Sequence, residues 1–183
     1  MRVEAETLAA LSLSVLLCNV PSNRANRAFI LSRGEAGPVK TGMTVDQLYA
    51  TVGRDTTKLS DEHLEGFFAP VIQIYLPGGQ GIRPSLIAEV VAGSAAFAVG
   101  RITVYDPRFK TSKGIGVGST LGQIRRNYKV DWIGFGEGPL FARVQQLGMS
   151  FALDAKPPPK WYETHSPKLV SNNAKVVFIV LAV

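Results

Sequence analysis

Two segments of the chain place apolar side chains at helical spacing. Val45, Leu48 and Val52 recur at positions i, i+3 and i+7 of residues 45–52, and residues 121–128 repeat that spacing. Such spacing gives a helix one narrow apolar face. The pattern therefore predicts two short amphipathic helices, each packed by that face against the rest of the protein.

Short runs rich in β-branched and aromatic residues follow both helices, bounded by Gly, Pro and Asp. These features are typical of β-strands joined by hairpin turns. The last run is almost wholly apolar but too short to span a membrane, so we expect a strand buried on both faces. The pattern predicts an α+β fold in which each helix is followed by about four antiparallel strands. The predicted strands are 71–76, 85–92, 97–106, 130–135, 141–147, 149–154 and 175–183.

The helix starts share a second pattern, which indicates an internal repeat. Gly42, Thr44 and Gln47 each recur 76 residues later (118 minus 42). The recurring residues are Gly118, Thr120 and Gln123. Similarity at a fixed offset is the signature of repeated architecture. We therefore predict two tandem helix-plus-sheet repeats, residues 29–110 and 111–183, with the helices packed on one side of the sheets.

The shared residues have a local structural role at each helix start. Thr44 and Gln47 have the spacing of a capping box, in which threonine and glutamine each bond the other's backbone N–H. Thr120 and Gln123 have the same spacing. The glycines two residues earlier suit the turn before each cap.

The glycine-rich stretch KGIGVGST at residues 113–120 invites comparison with phosphate-binding loops. No lysine precedes Ser119, as a Walker loop requires, and the glycine spacing does not fit G-x-G-x-x-G. We interpret the stretch as a structural turn into the second helix.

The pattern Gly-Met-Thr-x-x-Gln-Leu, followed by Val-Gly, occupies residues 42–53. It resembles the opening helix of small bacterial outer-membrane lipoproteins and the repeats of secreted β-lactamase-inhibitor-like proteins. The resemblance implies a helical segment on an antiparallel sheet, sometimes in tandem repeats, and action by binding other proteins. The second copy lacks the methionine and the final Val-Gly. The matching positions are capping and packing positions, so the resemblance implies a fold and no binding residues.

The N-terminus suggests export. The thirteen apolar residues LAALSLSVLLCNV at 8–20 are too short for a membrane span and match the central region of a signal peptide. We expect residues 1–28 to be a signal segment, the protein to be periplasmic or extracellular, and the mature chain to have no membrane span. Because Glu4 and Glu6 offset Arg2, the alternative is an N-terminal amphipathic or core helix.

Cys18 is the only cysteine, so no intramolecular disulfide can form. Leu17 precedes it where bacterial lipoproteins carry a small residue, so lipid anchoring at Cys18 is not expected. The chain has 20 basic and 14 acidic residues, a net charge of +6. The basic residues are scattered rather than clustered in a stripe, so a nucleic-acid partner is not expected.

No catalytic, cofactor or metal site is predicted. His63 and His165 lack partners at metal-ligand spacing, and SDEHLEG around His63 suits a solvated polar helical or acidic turn segment. Glu89 lies within an apolar strand and must face solvent or find a partner. The rival hypothesis is a small secreted hydrolase, in which Glu89, Asp106 or His63 would converge from distant strands.

Aromatic residues supply the candidate binding site. Three prolines favour an extended loop at residues 154–168, and the aromatics beside them can pack on the core or anchor a partner. We hypothesise an exported, non-catalytic protein that binds another protein or an envelope component through its outer sheet face and this loop. The candidate contact residues are Trp132, Phe135, Phe141, Trp161 and Tyr162.

Overall fold

The computed structural model describes residues 28–64, 67–79, 81–136 and 138–182. The predicted signal segment, with Cys18, lies outside these residues apart from Ala28. In the described part of the chain, no helix has the length and apolar character needed to cross a membrane.

The regular elements are runs of strands separated by short helices. The α-helices are α1 (Val45–Val52), α2 (Leu121–Asn127) and α3 (Pro159–Thr164), and 3₁₀ turns occupy Arg54–Thr56, Gln145–Leu147 and Pro167–Leu169. The strands are β1 (Ile30–Ser32), β2 (Glu35–Ala36), β3 (Val39–Lys40), β4 (Thr57–Leu64), β5 (Phe67–Ile74), β6 (Leu86–Ala92), β7 (Phe97–Val104), β8 (Lys110–Thr111), β9 (Trp132–Phe135), β10 (Leu140–Val144), β11 (Met149–Leu153) and β12 (Val176–Ala182).

The longer strands form one antiparallel sheet in the order β4-β5-β6-β7-β12-β11-β10-β9. At its centre β7 pairs with β12, with Ile179 opposite Val104 and Leu181 opposite Ile102. A small sheet, β3-β2-β1-β8, lies beside it. The predicted α+β class with antiparallel strands is confirmed. The structure does not divide the chain into two units with separate sheets, because the β7–β12 pairing removes two exposed strand edges and merges all eight strands.

Both predicted capping boxes are present. The Thr44 hydroxyl accepts from the Gln47 N–H at 3.2 Å, and the Gln47 side-chain oxygen accepts from the Thr44 N–H at 2.9 Å. Thr120 and Gln123 make the same pair of bonds at 3.2 and 2.7 Å. These bonds satisfy backbone donors that a helix start otherwise leaves unpaired. The predicted start of each helix is confirmed.

The hydrophobic core lies between the helices and one face of the large sheet. Leu48 of α1 and Ile124 of α2 are fully buried and share one apolar cluster with inward-facing strand residues such as Ile72, Leu86 and Ile102. Because side chains alternate between faces along a strand, the other face receives the intervening residues. We call the side against the helices the inner face and the opposite side the outer face.

Two local predictions differ from the structure, each for its own reason. The segment SDEHL, predicted as a polar helical or acidic turn segment, belongs to β4, which pairs with β5 from Thr57 opposite Ile74 onward. It is an edge strand with a single described neighbour and little apolar surface to bury, so it carries no alternating hydrophobic signal. The segment 154–168, predicted as an extended loop, is extended at Pro158, but α3 begins at Pro159, because proline suits the first turn of a helix.

An ion pair anchors the chain where it leaves β7. The buried Asp106 carboxylate accepts from the Arg108 backbone N–H at 2.9 Å and from Nη2 at 2.6 Å, and Arg108 Nη1 donates to the Pro77 carbonyl at 2.7 Å. The guanidinium also lies 4.3 Å from the Phe29 ring centre. Burial alone would raise the pKa of Asp106, but the hydrogen bonds from Arg108 and Ser85 outweigh it and hold that pKa below its usual value.

Replacing Asp106 by asparagine should lower the free energy of unfolding at pH 7 by about 2–3 kcal/mol, because the Arg108 charge loses its buried partner. The stabilisation is fully present above the carboxyl's unfolded pKa of about 3.9 and is lost as the pH falls through the lower folded value. Urea denaturation from pH 7 to pH 2 measures both effects. Asp46→Asn, at a side chain 93% exposed, is the control. Equal stability of wild type and Asp106→Asn at pH 7 would contradict the assignment.

Candidate binding groove on the outer face

The outer face of the large sheet forms an open groove of about 730 Å³. Its lining residues come from strands at both ends of the sheet and from β7 and β12 at the centre. They alternate with the buried core residues along each strand, which follows from the two-residue period of β-structure. We call this concavity the outer-face groove.

Aromatic rings form the floor of the outer-face groove. The Phe178 ring, on β12, lies 5.5 Å from the Tyr105 ring and 5.8 Å from the Phe141 ring, centre to centre. Tyr105 follows β7, and Phe141 lies on β10. The floor thus joins strands from the two ends of the sequence, with ring spacings typical of favourable aromatic pairs.

Two glycines let further rings lie against the sheet at the β9 end. A Cβ atom on Gly134 would lie 2.0 Å from the Trp132 ring, and one on Gly136 would lie 2.6 Å from the Phe141 ring. Each ring therefore occupies the space that a side chain would fill. Trp132 remains 47% exposed and available for contact.

A cross-strand ion pair lies on the β6–β7 side of the groove. Glu89 and Arg101 stand opposite each other in the register of β6 and β7, and Arg101 Nε lies 2.6 Å from a Glu89 carboxylate oxygen. The side chains are 17% and 33% exposed, respectively. The partner expected from the position of Glu89 within an apolar strand is therefore present.

Glu62, on β4, contributes a further carboxylate with an altered pKa. Burial raises the pKa of Glu62, the nearby Glu89 charge raises it further, and Arg101 acts in the opposite direction. Burial also raises the pKa of Tyr105, with the Glu62 charge adding to the effect. Within the described residues, no basic side chain forms an ion pair with Glu62.

Arg143 supplies a positive charge on the β10 side of the groove. Arg143, on β10, stands opposite Trp132 of β9 and is exposed. No acidic side chain of the described ranges forms an ion pair with it. The neighbouring Asp131 accepts from the Gln145 backbone N–H at 2.8 Å and lies 3.8 Å from Lys129. The aromatic floor thus lies between Glu62 and Arg143, neither of which forms an ion pair within the described residues.

The five candidate contact residues fall into two groups. Trp132 and Phe141 line the outer-face groove. Phe135 packs against Trp161 and Tyr162 of α3, with ring centres 5.5 and 6.0 Å apart. Trp161 is only 2% exposed and belongs to the core, although its indole N–H has no hydrogen-bond partner among the described residues. Phe135 and Tyr162 remain 44% and 55% exposed at a separate aromatic cluster.

The sequence did not reveal several groove residues. Phe178 lies in the run 175–183 that was predicted to be buried on both faces; instead β12 buries alternate residues and turns Phe178 and Val180 to the groove. The alternation was hidden because both faces of this strand are apolar. Tyr105, Glu62 and Arg143 were missed because only the sheet order brings them together.

Of the three candidate acid-base residues, Glu89 and Asp106 do not come together. Glu89 lines the outer-face groove, whereas Asp106 is bonded to Arg108 and lines a separate pocket of about 220 Å³. The His63 side chain lies outside the described part. Among the residues described, no three His, Cys, Asp or Glu side chains form a cluster suited to a metal ion.

Fold and groove together define an α+β protein with one antiparallel sheet whose outer face is open. No family model matches the chain, and no curated protein matches it. Among solved structures, the crystal structure of the uncharacterized protein yfeY from Escherichia coli is similar, with a TM-score of 0.59 and 12% identity. The match covers 84% of this chain and 99% of that chain. At this identity the similarity concerns the fold alone.

The shifted pKa of Glu62 can be tested through its neighbours. Replacing Glu89 by glutamine should lower the Glu62 pKa, because it removes a like charge and releases Arg101. Arg101→Gln should raise the Glu62 pKa, because it removes the attracting charge. NMR titration of the Glu62 carboxyl carbon in each protein measures both changes. A Glu62 pKa that is the same in all three proteins would contradict this arrangement of charges.

Proposed function

We propose that this chain is an exported, non-catalytic protein that binds another protein or an envelope component through the outer-face groove. The observation that carries the proposal is the exposed aromatic and charged surface built across the whole sheet. Exposed tryptophan, tyrosine and arginine are the residues that most often anchor protein partners. Trp132 and Arg143 are exposed in the groove, and the half-buried Tyr105 and Arg101 line it beside them.

The shape of the groove favours a macromolecular partner. The outer-face groove is open to solvent, and its lining comes from strands along the whole sheet, from β4 to β9. Small-molecule sites usually enclose most of the ligand. An extended segment or a protruding loop of a partner suits this open groove better.

The charges of the groove suggest where the partner carries its own charges. Glu62 and Arg143 lie toward opposite ends of the groove, each without an ion pair in the described residues. A partner segment with a basic residue toward Glu62, apolar residues on the aromatic floor and an acidic residue toward Arg143 would complement the groove. Complementary charges chiefly select the partner and its orientation.

The predicted duplication is part of this proposal, and matched backbone contacts support it. The Gly42 N–H donates to the Val99 carbonyl at 2.7 Å, and the Gly118 N–H donates to the Val176 carbonyl at 2.8 Å. Each bond ties the turn before a capped helix to the last long strand that follows that helix in sequence. We propose that two related halves meet at β7 and β12, so each half forms part of the groove.

Export remains a proposal supported by the apolar run at residues 8–20 and the polar stretch after it. N-terminal sequencing of the protein recovered from envelope fractions tests it. A mature chain that begins beyond residue 20 would support export. The full-length chain found only in the cytosolic fraction would contradict it.

One observation favours the alternative, a small secreted hydrolase. Glu62, whose pKa is raised by burial, lines the same groove as Glu89, and two neighbouring carboxyl groups can serve as general acid and general base. Hydrolysis of a panel of ester, peptide and glycoside substrates, abolished by Glu62→Gln, would favour this reading over binding alone.

Removing the aromatic surface should reduce partner recovery. We expect Trp132→Ala with Phe141→Ala to lower recovery from envelope extracts about tenfold or more, because large aromatic anchors carry much of an interface's energy. Quantitative mass spectrometry of affinity-purified material measures it. Tyr162→Ala, at an exposed ring outside the groove, is the matched control.

Two results would overturn the groove assignment. One is equal recovery of the same partner with the wild-type protein and the groove variant. The other is a loss caused by Tyr162→Ala alone, which would move the binding site to the cluster of Phe135, Trp161 and Tyr162.

A further inference from the structure

Strand β4 forms one edge of the large sheet and is regular over its full length. All eight of its residues stand in register with β5, and no other described strand pairs with its far side. The Tyr75 N–H donates to the Thr56 carbonyl, so residue 56 is one of the positions whose backbone groups bond to β5. Every second residue from there does the same. Residues 58, 60 and 62 therefore bond toward β5, whereas the N–H and C=O groups of Thr57, Leu59 and Asp61 point outward. An open edge of this kind is a template for another strand.

The sequence of β4 is complementary to itself. Two copies of β4 can pair antiparallel about a two-fold axis perpendicular to the sheet. Residues that stand opposite each other then point to the same face of the sheet. The axis must therefore pass through a residue position, because neighbouring residues of one strand point to opposite faces. With the axis at Ser60, Lys58 of each copy stands opposite Glu62 of the other. An axis at residue 59 would place Lys58 opposite Ser60, and an axis at residue 61 would place Lys58 opposite residue 64. The Ser60 register alone among these three forms opposite-charge pairs, and it forms two.

Both charges lack an ion pair within one copy. Lys58 is exposed and Glu62 is half-buried, and neither contacts an opposite charge in the described part of the chain. In the Ser60 register these side chains occupy non-hydrogen-bonded sites, where Cα atoms lie about 4.5 Å apart and side chains approach closely.

Two apolar side chains beside this edge are exposed to solvent. Leu59 is 67% exposed and Phe68, on the neighbouring β5, is 75% exposed, although both lie on the inner face of the sheet. In the Ser60 register the two Leu59 side chains become diagonal neighbours across the axis, about 7 Å apart. Pairing therefore covers apolar surface as well as backbone groups.

We propose that two copies of this chain associate through antiparallel β4 strands, in the register centred on Ser60, and join their large sheets into one continuous sheet. The interface is isologous, so each contact occurs twice. The dimer rests on the β4 edge and does not require the proposed function, although the two share the Glu62 side chain. The aromatic groove residues Trp132 and Phe141 lie at the other end of the sheet, and Lys58 lies outside the groove lining, so Lys58→Glu tests the dimer without changing the groove.

Charge reversal tests both the interface and its register. Sedimentation velocity over a wide concentration range should show wild-type dimers, and Lys58→Glu or Glu62→Lys should each weaken dimerisation about tenfold or more by opposing like charges. The double variant Lys58→Glu/Glu62→Lys should restore wild-type association. Lys156→Glu, at an exposed lysine elsewhere, should have no effect. Circular dichroism of each variant checks that it is folded.

A disulfide offers an independent test. In a Cys18→Ser background, Ser60→Cys places two cysteines opposite each other at the axis, at a Cα separation suited to a disulfide. Mild oxidation should yield a covalent dimer for Ser60→Cys but not for Ser112→Cys, an exposed control.

Three outcomes would overturn the dimer proposal: a wild-type protein that stays monomeric at every concentration, dimers insensitive to both single reversals, or a double variant that fails to recover. A groove variant that loses its partner while remaining dimeric would leave both proposals standing. A β4 variant that is monomeric but keeps its partner would separate dimerisation from partner binding.

Discussion

The pairing of β7 with β12 is the contact on which the rest of this structure depends. It joins the strands that follow α1 to those that follow α2, and it places Val104 opposite Ile179 in the centre of the sheet. Without it, each group of four strands would have another open edge, and the aromatic floor of the outer-face groove would be divided between Tyr105 and Phe178. The groove is therefore a consequence of sheet continuity.

The two faces of this sheet have distinct roles because side chains alternate. The inner face packs Ile72, Leu86 and Ile102 against the capped helices, and this packing fixes the curvature and position of the strands. The outer face is thus free to carry groups that contribute little to stability, such as Arg143. Partial burial there raises the pKa of Glu62, so the scaffold influences the chemistry of the surface it supports.

Local features of the fold could be predicted from sequence. The capping boxes at Thr44 and Thr120 involve residues three apart, and central strands such as β6 show strong apolar patterns. Features set by distant pairing could not be predicted. Strand β4 has too few apolar residues to give a signal, and the single sheet depends on residues from the two ends of the chain.

The candidate site was predictable only in part, for the same physical reason. Trp132 and Phe141 lie close together in sequence and share one hairpin, so their joint presence in the groove required only local alternation. Glu62 and Arg143 come together only through the order of the strands. Trp161 resembled a surface anchor in sequence, but α3 turns it into the core.

Native-state amide hydrogen exchange of β7 and β12 tests the central claim most directly. If these strands join two halves into one cooperative sheet, the amides of Thr103 and Val180 should exchange only through global unfolding, with equal free energies that match the denaturant value. Two distinct free energies, one for β4–β7 and another for β9–β12, would show that the halves unfold independently and would contradict the continuous sheet.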